Sequence, residues 1–128
     1  MRNIKLTGEA LTNLFQKIGG EPALQQILDS FYAKMSQDVL IGFFFTGKDI
    51  KHIAQQQKAF LMKAWGVTSS YQGKSPATAH EKLPPILAGH FDRRLVILAE
   101  TLRAFKIDEN SIDTWVGFEN KFRQAVQS

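Results

Sequence analysis

The sequence predicts an all-α protein. Apolar residues recur at spacings of three and four along most of its 128 residues, which is typical of helices with one buried face. We find no sustained alternation of apolar and polar residues and no Asn-Gly hairpin turn, the patterns that would indicate strands. With 44% hydrophobic and 22% charged residues, the chain has the composition of an ordinary folded protein. We expect one helical domain, residues 1–128, around a single core.

The composition excludes several kinds of site. The absence of cysteine excludes disulfides, thiolate metal ligands and cysteine nucleophiles, and it fits a reducing compartment. The net charge of +4 comes from scattered residues, and Arg93-Arg94 is the only adjacent basic pair, so no nucleic-acid surface is indicated. The longest apolar run, Val39–Phe45, is too short to span a bilayer, and no signal peptide is indicated. We expect a cytoplasmic protein that binds neither nucleic acid nor membranes.

Two helices are predicted in the first third of the chain. Thr7 can cap the first helix and Gly19-Gly20 ends it, while Pro22 is expected to begin the second, which ends near Asp38. Their buried faces are predicted to be Leu11, Leu14, Phe15 and Ile18, followed by Leu24, Ile27, Leu28, Phe31, Tyr32 and Met35. Tyr32 therefore points toward the core, which makes its hydroxyl a candidate for a special role.

An aromatic corner and a third helix follow. Three consecutive phenylalanines, residues 43–45, cannot all face one way, so the corner either surrounds an apolar group or fills gaps in the core. Asp49 is predicted to cap a helix that runs to about Trp65. Gln57 interrupts the apolar stripe of this helix, and a buried amide without a partner costs roughly 1–3 kcal/mol. Gln57 therefore either pairs inside the core or faces a ligand.

The segment Tyr71–His80 does not continue the helical pattern and is predicted to be a loop with a special role. Glycines and prolines interrupt it, and Pro76 is expected to begin a short helix that carries His80 and ends at Pro84-Pro85. Neutral imidazole is the commonest protein ligand of metals and also binds haem iron, so His80 is a candidate ligand. A surface or capping role is the alternative.

Two further helices complete the prediction. The fourth has the apolar stripe Phe91, Leu95, Leu98, Leu102 and Phe105. Asp108 or Ser111 is expected to cap a final helix with the stripe Ile112, Trp115, Phe118, Phe122 and Val126.

Six sequence features, taken together and in this order, resemble the truncated haemoglobins. They are Phe15–Gly20, Phe31-Tyr32, Phe44-Phe45, Gln57–Leu61, Tyr71–His80 and His90–Asp92. The match covers almost the whole chain and is strongest to the group with the Gly-Gly turn and the Tyr-x-Gly loop. The resemblance implies a shortened globin, a two-over-two helical sandwich, with haem b between the Gln57 helix and the His80 segment.

The resemblance also implies roles for individual residues. His80 would be the proximal ligand of the haem iron, and Tyr32 and Gln57 would stabilise bound oxygen from the distal side. The implied pocket residues are Phe44, Phe45, Ile53, Phe60, Leu61 and Tyr71, the last of them near a haem propionate.

The implied function is reversible binding of oxygen, carbon monoxide or nitric oxide. Nitric oxide dioxygenation would also require a separate reductase, because the sequence shows no flavin or nicotinamide domain. A gas-sensing or oxygen-storage module without turnover is the alternative.

Three positions depart from the family pattern. Val67 replaces a glycine, and the segment from His80 to Phe91 is one residue longer than in its nearest relatives. Arg94 falls near a pocket position that the family usually fills with an apolar residue or tryptophan. We expect the register of this helix to differ; alternatively, the Arg94 stem packs there and its head reaches solvent or a propionate.

The other two histidines are expected to be peripheral. His52 lies about 100° around its helix from Ile53, which indicates an exposed position or one near a propionate. His90 precedes a helix and is expected to cap it or lie on the surface. The spacing of the three histidines argues against a zinc site.

Overall fold

The computed structural model describes residues 6–69, 73, 78 and 85–126, and no strand occurs among them. Within these ranges the helices are α1 (Gly8–Ile18), α2 (Gly20–Gln37), a 3-10 helix (Gly42–Phe45), α3 (Ile50–Ala64), α4 (Ala88–Ala104), α5 (Glu109–Asn120) and α6 (Arg123–Val126). None of these described helices is long and apolar enough to cross a membrane. The all-α prediction is confirmed.

Two helix pairs form the body of the fold. Helix α2 packs against α3, α4 packs against α5, and α2 also contacts α4, which joins the two pairs. Helix α1 closes one side against α2 and α5. The predicted apolar stripes meet in one core, whose largest fully buried side chains are Trp65, Trp115, Phe31, Leu14, Leu24, Ile27, Leu28, Met35, Leu61, Leu98, Leu102 and Ile112. This is the predicted two-over-two sandwich.

A single glycine joins α1 to α2. The Thr7 hydroxyl accepts a hydrogen bond from the Ala10 amide at 3.1 Å, which confirms it as the cap of α1. Gly19 ends α1 with φ of 113°, and a Cβ there would lie 2.9 Å from Ala23 Cβ. Helix α2 begins at Gly20, so the predicted start at Pro22 was two residues late. Pro22 lies in the first turn, where backbone N–H groups have no intrahelical partner and proline is tolerated.

The aromatic corner after α2 is held by Asp38. One oxygen of its carboxylate accepts hydrogen bonds from the Leu40 and Ile41 amides, at 3.0 and 3.2 Å. The other accepts from Arg93 of α4, with Nη2 at 2.7 Å and Nε at 3.0 Å. The hydrogen bond from Arg93 is the main reason that the pKa of Asp38 lies below its usual value. Asp38 therefore ties the corner to α4.

The ends of α3 are as predicted. Asp49 caps the helix by accepting from the His52 amide at 3.1 Å, and Trp65 follows its last residue. The Thr12 hydroxyl donates to the Trp65 carbonyl at 2.7 Å, which links this end to α1.

The final helix is broken, contrary to the prediction of one helix to Val126. Asp108 caps α5, which ends at Asn120, and a turn precedes α6. In this turn the Lys121 and Phe122 amides donate to carbonyls three residues earlier, at 3.2 and 3.0 Å. The Phe122 ring packs edge-to-face on Phe60 and Phe118, at centroid distances of 5.6 and 5.2 Å. Apolar spacing alone continues across this turn and does not reveal it.

The cap of α5 predicts a pH-dependent contribution to stability. Hydrogen bonds from the Ser111 hydroxyl, at 2.7 Å, and the Ser111 amide, at 3.0 Å, hold the pKa of Asp108 below its usual value. Because the folded pKa is lowered, this stabilisation is present above the unfolded pKa of about 3.9 and is lost as pH falls through the folded value. We expect Asp108→Ala to lower the free energy of unfolding by about 1 kcal/mol at pH 7, measured by urea denaturation.

Thr7→Ala is the matched control, because it removes the cap of α1 without removing a titratable group. Its cost should be of similar size but independent of pH. A cost of Asp108→Ala that stays constant down to pH 2 would contradict the role of the charged carboxylate.

Candidate functional site

Tyr32 is placed by the core-facing side of α2. Its side chain is only 5% exposed, as the helical spacing predicted. The ring packs against Phe31 at a centroid distance of 5.3 Å and edge-to-face against Phe45 of the 3-10 helix at 6.0 Å. The tyrosine hydroxyl is thus carried on a ring that contacts from α2 and the 3-10 helix hold in place.

One face of helix α3 lies at the edge of the core and is only partly buried. Ile53, Gln57 and Phe60 follow one another at spacings of four and three, and all three are half-buried. Leu61 lies on the adjacent face and is fully buried. The Gln57 side chain makes no hydrogen bond to any of the described residues, so the predicted alternative of a core pair with Tyr32 or the backbone is not formed there. The face therefore combines apolar side chains with one amide.

The three phenylalanine rings of the aromatic corner differ in how deeply they are buried. Phe44 is buried, Phe45 is half-buried and Phe43 is 49% exposed. His90 packs edge-to-face on Phe43 and Phe44, with centroids 5.6 and 5.2 Å away. Its Nδ1 also accepts a hydrogen bond from the Leu87 amide at 3.0 Å, which confirms the predicted capping role. His52 is exposed, one of the two outcomes expected for it.

The Arg94 side chain points into the core. The guanidinium carbon Cζ lies 5.0 Å from the Phe31 ring centre and 5.8 Å from that of Tyr32. The group points inward because a carboxylate on α5 receives it: Arg94 Nη2 is 3.2 Å from Glu119 Oε2. The packed stem, which was the alternative expectation for Arg94, is observed, and its head meets Glu119. A contact with a propionate and a register difference from relatives stay predictions.

Glu119 is a buried charge with two partners. Its second oxygen, Oε1, accepts a hydrogen bond from Trp115 Nε1 at 3.2 Å, and Trp115 is fully buried. Burial alone would lower the pKa of Arg94, but the Glu119 carboxylate and the Tyr32 side chain outweigh it, so that this pKa is raised. Arg94 therefore stays cationic next to the Tyr32 ring.

Two predicted site residues, His80 and Tyr71, lie outside the described residues, as does the predicted start of the short helix at Pro76. The structure brings together the other predicted site residues around α2, α3 and the aromatic corner.

The fold and these residues invite comparison with known proteins. The chain matches the family model of bacterial-like globins over residues 13–128. It is also 33% identical over 105 residues to a group 1 truncated haemoglobin of Synechocystis sp., a match that covers 80% of this chain and 85% of that protein. The chain belongs to the truncated haemoglobins. The resemblance found in the sequence is confirmed.

Two further relatives support this assignment of the globin. A group 1 truncated haemoglobin of Chlamydomonas moewusii is 35% identical over 101 residues, and the match spans 78% of this chain but 59% of that longer protein. The crystal structure of a truncated haemoglobin from Tetrahymena pyriformis, in its Fe(III) form, superposes with a TM-score of 0.83 at 28% identity. That match covers 90% of this globin and 97% of the other chain, so the two-over-two fold is confirmed along almost its full length.

Glu119, the partner of Arg94, is the residue near this globin's proposed site that the sequence analysis missed. One signal was present: Glu119 stands four residues after Trp115 and three before Phe122, on an otherwise apolar stripe. An acidic residue at such a position needs a cationic or hydrogen-bonding partner, and Arg94 occupies the corresponding inward position of α4.

Proposed function

We propose that this globin binds haem b and uses it to hold oxygen and other diatomic gases reversibly. The observation that supports the proposal is a surface, formed by α2, α3 and the aromatic corner, that combines apolar side chains with two polar groups. A buried phenol and an amide without a described partner lie among half-exposed apolar side chains at the rim of the core.

The described residues fit a flat apolar group. Phe45, Ile53 and Phe60 pack against the core but stay half-exposed, which leaves apolar surface that a porphyrin would cover. Covering such surface is worth about 25 cal/mol per Å². Phe44 and Leu61 are buried behind them and give the wall rigidity. These five residues are the pocket wall that we propose.

The ligand of the iron is proposed from the family resemblance. His80 matches the family's proximal histidine, and Tyr71 matches the residue that contacts a propionate. When bound, haem would supply an iron centre with an open position for oxygen, carbon monoxide or nitric oxide.

The protein's own contribution is a set of preorganised donors. The Tyr32 hydroxyl and the Gln57 amide would each donate a hydrogen to the ligand, and the apolar wall would exclude competing water. Fixed donors in a dry pocket would stabilise a ligand such as oxygen, which gains negative charge on binding. Carbon monoxide gains less from the same donors. We therefore propose high oxygen affinity with slow release.

Loss of His80 should abolish histidine ligation of the iron. We expect the reconstituted protein to show the ferrous absorption spectrum of a histidine-bound haem, and His80→Ala to lose that spectrum, because imidazole is the ligand. His52→Ala is the matched control, since this histidine is exposed, and it should leave the spectrum unchanged. Failure of the wild-type chain to take up haem would refute the proposed function.

Loss of the tyrosine hydroxyl should speed oxygen release. We expect Tyr32→Phe to raise the oxygen dissociation rate about tenfold, because a hydrogen bond of about 1.4 kcal/mol corresponds to that factor. Stopped-flow displacement of oxygen by carbon monoxide measures this rate. Gln57→Leu should also raise it, whereas Gln56→Leu, which changes an exposed neighbour on α3, should not. Equal rates for Tyr32→Phe and the wild type would remove Tyr32 from the site.

We further propose that this globin converts nitric oxide to nitrate. Combining one nitric oxide with one oxygen to give nitrate consumes one electron per turnover, so a separate reductase must supply it. The absence of cysteine fits a reducing, cytoplasmic setting where such electrons are available.

Nitric oxide consumption by the oxygenated protein, followed with and without a chemical reductant, separates this activity from storage or sensing. We expect sustained turnover only when reductant is present. A protein that consumes at most one equivalent in either condition would be an oxygen-storage or gas-sensing module instead.

A further inference from the structure

Arg94 places a fixed positive charge beside the proposed oxygen-binding tyrosine. Its guanidinium stands over the Phe31 and Tyr32 rings, and Nη1 is 3.8 Å from the Met35 sulfur. All three neighbours lie on the buried face of α2. The Arg94 side chain is 20% exposed, so most of the cation is enclosed by protein.

Glu119 fixes the position of this cation. Its side chain is 7% exposed, and each of its two oxygens has a different partner, Arg94 on α4 and Trp115 on α5. Because Trp115 is fully buried in the core, the carboxylate cannot follow Arg94 into solvent without losing a buried hydrogen bond. Removing either charge would leave the other one buried and without its ionic partner.

The position of the guanidinium determines how it acts on Tyr32. Its carbon Cζ lies over the Tyr32 ring, 5.8 Å from the ring centre, so a positive charge faces the π-system of the phenol. A cation in this position draws electron density from the ring and favours negative charge on the phenol oxygen. The Tyr32 hydroxyl is therefore a stronger hydrogen-bond donor than that of a tyrosine without such a neighbour.

We propose that Arg94 is a positioning residue: held by Glu119, it fixes a positive charge over the Tyr32 ring, which makes the tyrosine hydroxyl a stronger donor to the gas ligand and thereby sets how tightly oxygen is held. The proposal rests on the function proposed above and adds to it a residue on α4. It also concerns specificity: a donor strengthened in this way stabilises oxygen, which becomes charged, more than carbon monoxide.

A double-mutant cycle tests whether Arg94 acts through Tyr32. Oxygen dissociation rates are measured for the haem-loaded wild type, Arg94→Leu, Tyr32→Phe and the double variant. We expect Arg94→Leu to speed release at least about fivefold in the wild type but less than about twofold when Tyr32 is already phenylalanine. Carbon monoxide release should change less than oxygen release. An equal factor in both backgrounds would mean that Arg94 acts independently of Tyr32 and would overturn the proposal.

Three further variants separate positioning from general damage. Arg103→Leu is the matched control, since it removes an exposed arginine of the same helix that pairs with Glu109, and it should not change the rate. Glu119→Gln keeps an acceptor for Trp115 but removes the charge that anchors Arg94, so it should speed oxygen release. Arg94→Lys keeps a cationic donor and should restore part of the slow release. If Arg94→Leu does not fold, Glu119→Gln decides the question, and an unchanged rate in this variant would overturn the proposal.

A spectroscopic measurement tests the contact itself, apart from gas binding. The chain has two tyrosines, so Tyr71→Phe leaves Tyr32 as the only one. In this background, with ¹³C-labelled tyrosine and the diamagnetic ferrous carbon monoxide complex, the shift of the Tyr32 ζ carbon reports the electron density of the phenol next to its hydroxyl. We expect Arg94→Leu to change this shift and Arg103→Leu not to. Haem uptake with an unchanged shift would overturn the proposal for Arg94 alone, whereas no haem uptake would overturn the proposed function itself.

Discussion

The buried face of α2 is the constraint on which the rest of this globin depends. This helix contacts α1, the 3-10 helix, α3 and α4, and its six inward residues are almost completely enclosed. Tyr32 is one of those six. Because a close-packed core allows little displacement of any side chain, the tyrosine ring is held by the same contacts that hold the fold together. The distal side of the proposed site is thus built on the buried face of α2.

Charged groups set the positions of the elements around that core. The fold brings Asp38 against Arg93 and Glu119 against Arg94, and in each pair the carboxylate is 7% exposed. Such pairs contribute less net free energy than their Coulomb attraction suggests, because both charges lose hydration. Their effect here is geometric, because each ion pair forms only when the two elements that carry its residues are correctly placed relative to each other.

Local interactions explain which parts of the fold the sequence predicted well. Thr7, Asp49 and Asp108 cap their helices through amides three residues away, so the signal lies within one turn of chain. The partner of Arg94, by contrast, is 25 residues distant, and only the packing of α4 on α5 brings it near. The break before α6 was also missed, because Phe122 continues an apolar spacing that looks helical.

The site residues were predicted from two sources, helical spacing and the family resemblance. Helical spacing placed Tyr32 on a buried stripe and showed that Gln57 interrupts another, and the structure finds the first buried and the second half-buried. Periodicity cannot distinguish a polar group that faces a ligand from one that pairs inside the core. The assignment of these residues, and of His80, to a haem pocket therefore came from the family resemblance and not from the spacing.

The adjacency of Arg93 and Arg94 has a consequence for how this chain tolerates changes in length. Successive residues on a helix point about 100° apart, so the two arginines engage the end of α2 on one side and α5 on the other. Because these two contacts lie on different sides of α4, together they fix the rotation of this helix about its own axis. An insertion upstream of Leu87 should therefore leave the rotation of α4 unchanged. The two arginines separate the surroundings of Tyr32 from variation in the chain that precedes α4.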